Sequence, residues 1–215
     1  MVFTREQLAE QIIQAGTFLY ARGWSPATSS NYSARLSNKH VLLTVSGKHK
    51  GQLGHDDILA TDMQAQSLEP NKKPSAEALL HTQLYNWQSN IQAVLHTHSV
   101  NATVLSRIEP SGQIEFKDYE LQKAFSGISS HKQPLLVPIF DNEQDMPRLA
   151  AQVQQWLNAY PDCKGYLIRG HGLYTWGPSM QDALRQIEAF EFLLECELKV
   201  RACMAQGSFT LNPSI

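Results

Sequence analysis

Ile91-Gln92-Ala93-Val94-Leu95-His96-Thr97-His98 is an apolar run that ends in two histidines one residue apart. A short apolar run of this kind reads as a buried strand. On a strand, residues i and i+2 project to the same face. His96 and His98 are therefore expected to aim their imidazoles at one spot. Zinc takes such nitrogens, usually with a third ligand and, in catalytic sites, an open position. A third candidate follows in Arg169-Gly170-His171-Gly172, where the apolar run Gly165-Tyr166-Leu167-Ile168 enters a glycine-flanked turn. Together these predict a metal centre built from His96, His98 and His171. The plainer alternative is a chance His-x-His on a packed or solvated strand.

Working outward, Asn31 to Leu36, His40 to Val45 and Leu135 to Phe140 read as further strands, with Pro138 hinting at an edge or a bulge. Helical spacing appears at Leu8, Ile12, Ala15 and Leu19 after a Thr4/Gln7 capping-box pair, with Gly23 as the stop. Ser75, Ser99, Asp145 and Ser179 are the predicted caps of later helices. The last of these runs to near Gly207 and carries apolar residues on more than one face. A short helix is expected over Asp118 to Phe125. Strands and helices alternate without a repeat, a linker or a low-complexity tract. The class is α/β, as a single domain over residues 1–215.

The chain has 215 residues, enough for a substantial core, and 42% of them are hydrophobic. Its net charge of −2 gives no electrostatic reason for nucleic acid or an anionic membrane as partner. Neither a membrane span nor a signal-peptide layout is visible. Cys163, Cys196 and Cys203 are odd in number and form no CxxC, which fits reduced, packed thiols in a cytoplasm.

Two carboxylates stand near these motifs. Glu77 sits at the start of the helix after Ser75, where the helix dipole alone would favour it. Glu120 follows the histidine strand and, by itself, reads as a solvated acid. Two polar loops could cradle a phosphate: one ending in Ser30-Asn31, the other at Ser46-Gly47 with Lys48 and Lys50 close by. Ser75 could add a hydroxyl at its helix start. Neither loop has Walker spacing.

Ser30-Asn31, Thr44-Val45-Ser46-Gly47, Ser75-Ala76-Glu77, His96-Thr97-His98 and Gly170-His171-Gly172, in this order, resemble the class II aldolase/adducin-head family. The resemblance implies a three-layer fold with a central, mostly antiparallel sheet flanked by helices. It also implies one Zn2+ per subunit and a cyclic homotetramer with sites between subunits. Pro74 to Thr82, Asp118 to Lys123 and His171 to Gly177 are most similar to the family's dehydratases. These imply a lyase that dehydrates a small phosphorylated ketose. In such dehydratases the acid/base glutamate lies downstream of His-x-His, the place Glu120 matches. In the sugar-phosphate aldolases it starts the preceding helix, the place Glu77 matches. An aldolase or epimerase on the same metal site, and a non-catalytic assembly module like the adducin heads, are the alternative readings.

Overall fold

The computed structural model describes residues 3–206. Its strands are β1 (Asn31–Arg35), β2 (His40–Thr44), β3 (Ile58–Asp62), β4 (Ala93–Thr97), β5 (Gln113–Phe116), β6 (Leu135–Phe140), β7 (Gly165–Ile168) and β8 (Gly172–Gly177). They form one sheet in the order β3-β2-β1-β4-β8-β7-β6-β5. Every pairing is antiparallel except β6 with β7.

Among the described residues five α-helices flank this sheet: α1 (Arg5–Ala21), α2 (Ala78–Trp87), α3 (Val100–Ile108), α4 (Met146–Ala159) and α5 (Met180–Ala205). Residue alternation on the strands builds a separate core on each face. Ala93 and Leu95 of β4 join α1, α3 and α5 through Ile12, Leu105 and Phe190. Val94 points the other way, to Leu84 of α2 and Val153 of α4. Each fully buried Val, Leu, Ile or Phe side chain among these contributes roughly 1.5–3 kcal/mol. The result is helices, sheet, helices: a three-layer α/β arrangement around a mostly antiparallel sheet.

Local chemistry explains most helix starts. Thr4 and Gln7 form a reciprocal capping box. Ser99, Asp145 and Ser179 each accept a hydrogen bond from a first-turn amide. Ser75 differs from its expected role. The N-cap of α2 is Glu77, whose side chain makes no cap bond, while Ser75 Oγ accepts from Glu77 N at 3.3 Å.

Other expectations also shift. β3, β5 and β8 are not legible as strands from the sequence. The first two are short edge strands, and β8 is bounded by glycines that read as turn. Pro138 is not on an edge, since β6 has neighbours on both sides. Its pairing with β7 begins only at Ile139, so the missing N–H breaks no rung there. The segment from Asp118 to Phe125 yields only a 3₁₀ turn, Glu120–Ala124. Asp118 has φ +65°, which no helix accepts. Of the three thiols only Cys163 is packed; Cys196 is half-buried and Cys203 exposed, because α5 runs past the core after Leu194. Gly207 lies outside the described residues.

Candidate metal centre and substrate cavity

The strand β4 delivers His96 to the α2/α4 side of the sheet, fully buried. Its cross-strand partner on β8 is Tyr174, and the two rings stack at 4.0 Å and 17°. His98 lies just past the strand end, where its amide donates to Trp24 O at 2.8 Å. His171 arrives from the β7–β8 turn. There Gly172 is required by close approach: a Cβ on it would meet Thr97 O at 2.0 Å and His96 Cε1 at 3.0 Å. Any side chain would push β8 off β4 directly behind the histidines.

Three ring nitrogens and a carboxylate converge. His98 Nε2 lies 2.8 Å from His96 Nε2 and 3.2 Å from His171 Nε2. Glu77 Oε1 is 3.3 Å from His171 Nε2, and its Oε2 is 3.4 Å from His96 Nε2. One ligand atom from each of the four lies within 4.8 Å of all the others.

The protonation states suit a cation. His96 Nδ1 faces the Leu173 carbonyl at 3.0 Å, so that nitrogen carries the proton and Nε2 presents its lone pair inward. Burial holds the imidazolium form of His96 well below its ordinary range, with the nearby His171 adding to the effect. Burial, with His96 beside it, pushes His98 down to about 3. Three imidazole Nε2 atoms and a carboxylate crowd one point, an arrangement that a positive charge between them would relieve. This donor set therefore fits a divalent metal of borderline softness.

A cavity of about 300 Å3 opens onto these groups. Ser30, Asn31, Ser46, Gly47, Ser75, Glu77, His98 and His171 all line it. The two polar loops thus meet at one site. Ser30 is held at φ +72° with its buried Oγ unpartnered among the described residues. Gly47 lines the cavity at φ +74°, with no side chain in the way.

Lys50, which lines the cavity, exchanges roles with Lys48. Lys48 is half-exposed and pairs with Asp57 at 2.9 Å. Lys50 is 1% exposed, and its Nζ donates to Thr28 O at 3.1 Å and Lys48 O at 2.6 Å. It ties the two loops together and sets a positive charge beneath them. Burial lowers it to about 8. Asn142 and Gln144 also line the cavity. The only sequence signal for them is a polar loop between a strand end and the Asp145 cap.

Glu120 is not in this cavity. Within its own protomer it is exposed on the 3₁₀ turn, paired with Lys123 at 2.6 Å and His131 at 3.8 Å. Its acidity is increased by the Lys123 hydrogen bond, as for any solvated surface carboxylate.

Residues 10–198 match the family model for the class II aldolase and adducin N-terminal domain. The chain is 74% identical to a methylthioribulose-1-phosphate dehydratase of Pseudomonas fluorescens (strain Pf0-1), over 95% of this chain and 98% of that protein. A second protein of that name, from Azotobacter vinelandii, is 72% identical over 93% of this chain and 97% of its own length. Among solved structures, an L-fuculose-1-phosphate aldolase from Thermus thermophilus superposes with a TM-score of 0.75 at 24% identity. The match covers 96% of this chain and 100% of that one. A putative aldolase/epimerase/decarboxylase from Klebsiella pneumoniae gives 0.77 at 22% identity, covering 92% and 91%. The last two establish the shared fold.

Proposed function

The chain belongs to the class II aldolase and adducin N-terminal domain family, and we propose that within it this protein is a methylthioribulose-1-phosphate dehydratase of methionine salvage. The observation that carries this reading is near-full-length identity of 70–74% to proteins of that name. The reaction removes water from 5-methylthioribulose 1-phosphate to give 2,3-diketo-5-methylthiopentyl 1-phosphate. The C3 proton and the C4 hydroxyl leave, and the resulting enol becomes the second ketone.

His96, His98 and His171 hold one zinc ion per subunit, with Glu77 at their side. Bound there, zinc supplies Lewis acidity that eases removal of the C3 proton. Ser30, Asn31, Ser46, Gly47 and Ser75 receive the phosphate, and Lys50 supplies the positive charge below it. Fixed backbone N–H groups and hydroxyls suit an anion, since they need no reorganisation on binding. Glu77 is placed to accept or hold a proton beside the histidines. Glu120 donates a proton to the departing hydroxyl.

Because Glu120 is exposed and does not line the cavity of its own chain, it serves the cavity of an adjacent subunit in a homotetramer. Two features support that assembly. Helix α3, capped by the Ser99 that follows His98, leaves Val100, Val104 and Ile108 exposed along one row. Leu121, beside Glu120, is exposed as well. The three cysteines stay as free thiols, which fits a reducing cytoplasm. No helix among the described residues is long and apolar enough to cross a membrane.

The second reading, a sugar-phosphate aldolase, is favoured by Glu77 standing at the imidazole cluster, where that chemistry would place its acid/base. Product analysis separates the two. Zinc-loaded protein given methylthioribulose 1-phosphate is expected to form a diketone phosphate with its carbon skeleton intact. Two carbon fragments would make it an aldolase, and an epimeric ketose phosphate an epimerase.

A further inference from the structure

Glu77 is the end of a buried chain of hydrogen bonds that crosses from β1 to α2. Asn31 Nδ2 donates to Glu77 Oε2 at 2.7 Å and to Ser75 Oγ at 3.1 Å. Asn31 Oδ1 meets His81 Nε2. His81 Nδ1 lies 2.7 Å from Ser33 Oγ, which lies 2.8 Å from the Tyr85 hydroxyl. Asn31 and Ser33 share one face of β1 at i, i+2, and His81 and Tyr85 are one turn apart on α2 at i, i+4. The two periodicities mesh, and all four residues are buried.

The direction of this chain follows from donor and acceptor chemistry. An ionised carboxylate only accepts, so the Asn31 amide must turn its nitrogen to Glu77 and its oxygen to His81. That oxygen also only accepts, so His81 must carry its proton on Nε2. A neutral imidazole then has its lone pair on Nδ1, which the Ser33 hydroxyl satisfies. Ser33 in turn accepts from Tyr85. Burial keeps His81 neutral by pushing it down to about 3. Every donor in the chain points toward Glu77.

We infer that His81 is a positioning residue for Glu77: its Nε2–H tautomer, whose Nδ1 lone pair Ser33 satisfies, holds the Asn31 amide in the orientation that gives the carboxylate a donor. The other tautomer would face a lone pair against Asn31 Oδ1. The amide would then flip and present its oxygen to Glu77, driving the carboxylate from His96 and His171. This deepens the metal-centre reading and rests on it. Outer-shell partners of this kind typically change metal affinity or activity by about 10–100-fold when removed.

Two measurements on metal-free and zinc-titrated protein test it. Nitrogen-15 NMR of the wild type, with His81→Gln used for assignment, is expected to show His81 protonated at Nε2 only. Competition against a zinc chelator is expected to show His81→Leu losing about 10–100-fold in affinity, with unchanged circular dichroism. His81→Gln keeps an amide donor in place of Nε2 and is expected to recover most of that loss, which a merely space-filling residue would not do. Ser33→Ala is expected to weaken zinc binding and to change the His81 tautomer signal, and it keeps the test open should His81→Leu not fold. An Nδ1–H tautomer in the wild type, or wild-type zinc affinity in His81→Leu or Ser33→Ala, would overturn the inference. A wild type that binds zinc with this His81 dependence yet leaves methylthioribulose 1-phosphate untouched would sink the proposed activity and leave the positioning role standing.

Discussion

Asn31 and His96 are direct cross-strand partners on β1 and β4. This single register position ties the polar loop ending at Asn31 to the imidazole cluster. Asn31 reaches Glu77 from one strand, and His96 reaches the same carboxylate from the other. A slip of one residue would turn either side chain to the opposite face of the sheet. The site therefore depends on the pairing as much as on the residues.

His96→Ala is expected to lose most of its zinc, because His96 Nε2 lies 2.8 Å from His98 Nε2 and 3.4 Å from the Glu77 carboxylate, in the middle of the donor set. Elemental analysis of the purified variant checks this. Full zinc retention would remove His96 from the ligand set.

Glu120→Gln is expected to lower kcat by about 10²–10⁴-fold, the usual share of general acid/base assistance, while zinc content stays at the wild-type level. Mixing Glu120→Gln subunits with His96→Ala subunits should restore part of the activity, since a shared site can then be assembled intact. Normal turnover in Glu120→Gln together with a dead Glu77→Gln would assign the chemistry to Glu77, as in the aldolases.

In the phosphate loops, Gly47→Val and Lys48→Ala should part company. Gly47 holds φ +74°, where a β-branched residue is strained by about 1–2 kcal/mol or more even though the space is open. Its KM for the phosphorylated substrate should rise about tenfold. Lys48 is half-exposed in a surface pair worth about 0–1 kcal/mol, so its removal should change KM by less than about threefold. Lys50→Met should behave like Gly47→Val, because it unties Thr28 O from Lys48 O. Steady-state kinetics with zinc content held equal decides. An unchanged KM in both Gly47→Val and Lys50→Met would move the phosphate elsewhere.

Val104→Asp places a charge in the exposed row Val100, Val104 and Ile108, which are 74%, 40% and 52% exposed. The variant is expected to form smaller species in light scattering and to lose activity while retaining zinc. An unaltered assembly would free this face from the interface. A monodisperse wild-type monomer at micromolar concentration would count against the tetramer itself.

Glu191 is buried on α5 against the start of α3, where Asn101 Nδ2 donates to its Oε2 at 3.4 Å. Its Oε1 has no partner among the described residues. Burial raises this carboxyl from 4.5 to about 7, so the folded chain holds a proton there that the unfolded chain releases. The penalty is absent below pH 4.5, grows as pH rises through that window and is complete above about pH 7. Glu191→Gln is therefore expected to match the wild type near pH 4.5 and to exceed it by about 1–3 kcal/mol at pH 8, since each pKa unit is worth about 1.4 kcal/mol. Urea unfolding at the two pH values reads the difference. A constant gap between the two proteins would refute the burial effect.

Local patterns made much of this molecule legible. The caps at Thr4, Ser99, Asp145 and Ser179 depend on hydrogen bonds that close within three residues, so they can be read without knowing the fold. The same holds for β4, β6 and β7, whose apolar runs must be buried wherever they pack. The nearness of His96 to His98 follows from the strand period alone. Ser75 misled because a serine before a helix satisfies the capping pattern. The structure instead uses Glu77 at that position, and aims its carboxylate at groups distant in sequence.

What only the tertiary structure decided is which distant groups meet. His171 joins His96 because β8 lies against β4 in one register, and Gly172 permits the contact. Glu77 rather than Glu120 enters the imidazole cluster of its own chain, because α2 packs over β1 while the 3₁₀ turn at Glu120 faces solvent. Lys50 rather than Lys48 lies under the loops, because the chain turns inward into the 3₁₀ segment that Lys50 begins. The sequence by itself determined the element types, the helix caps and the kind of chemistry, since these rest on periodicity, capping bonds and donor type over a few residues. The register of the sheet and the placement of its covering helices determined the site. Those arise from burying both faces of the sheet at once, a condition no short stretch of sequence contains.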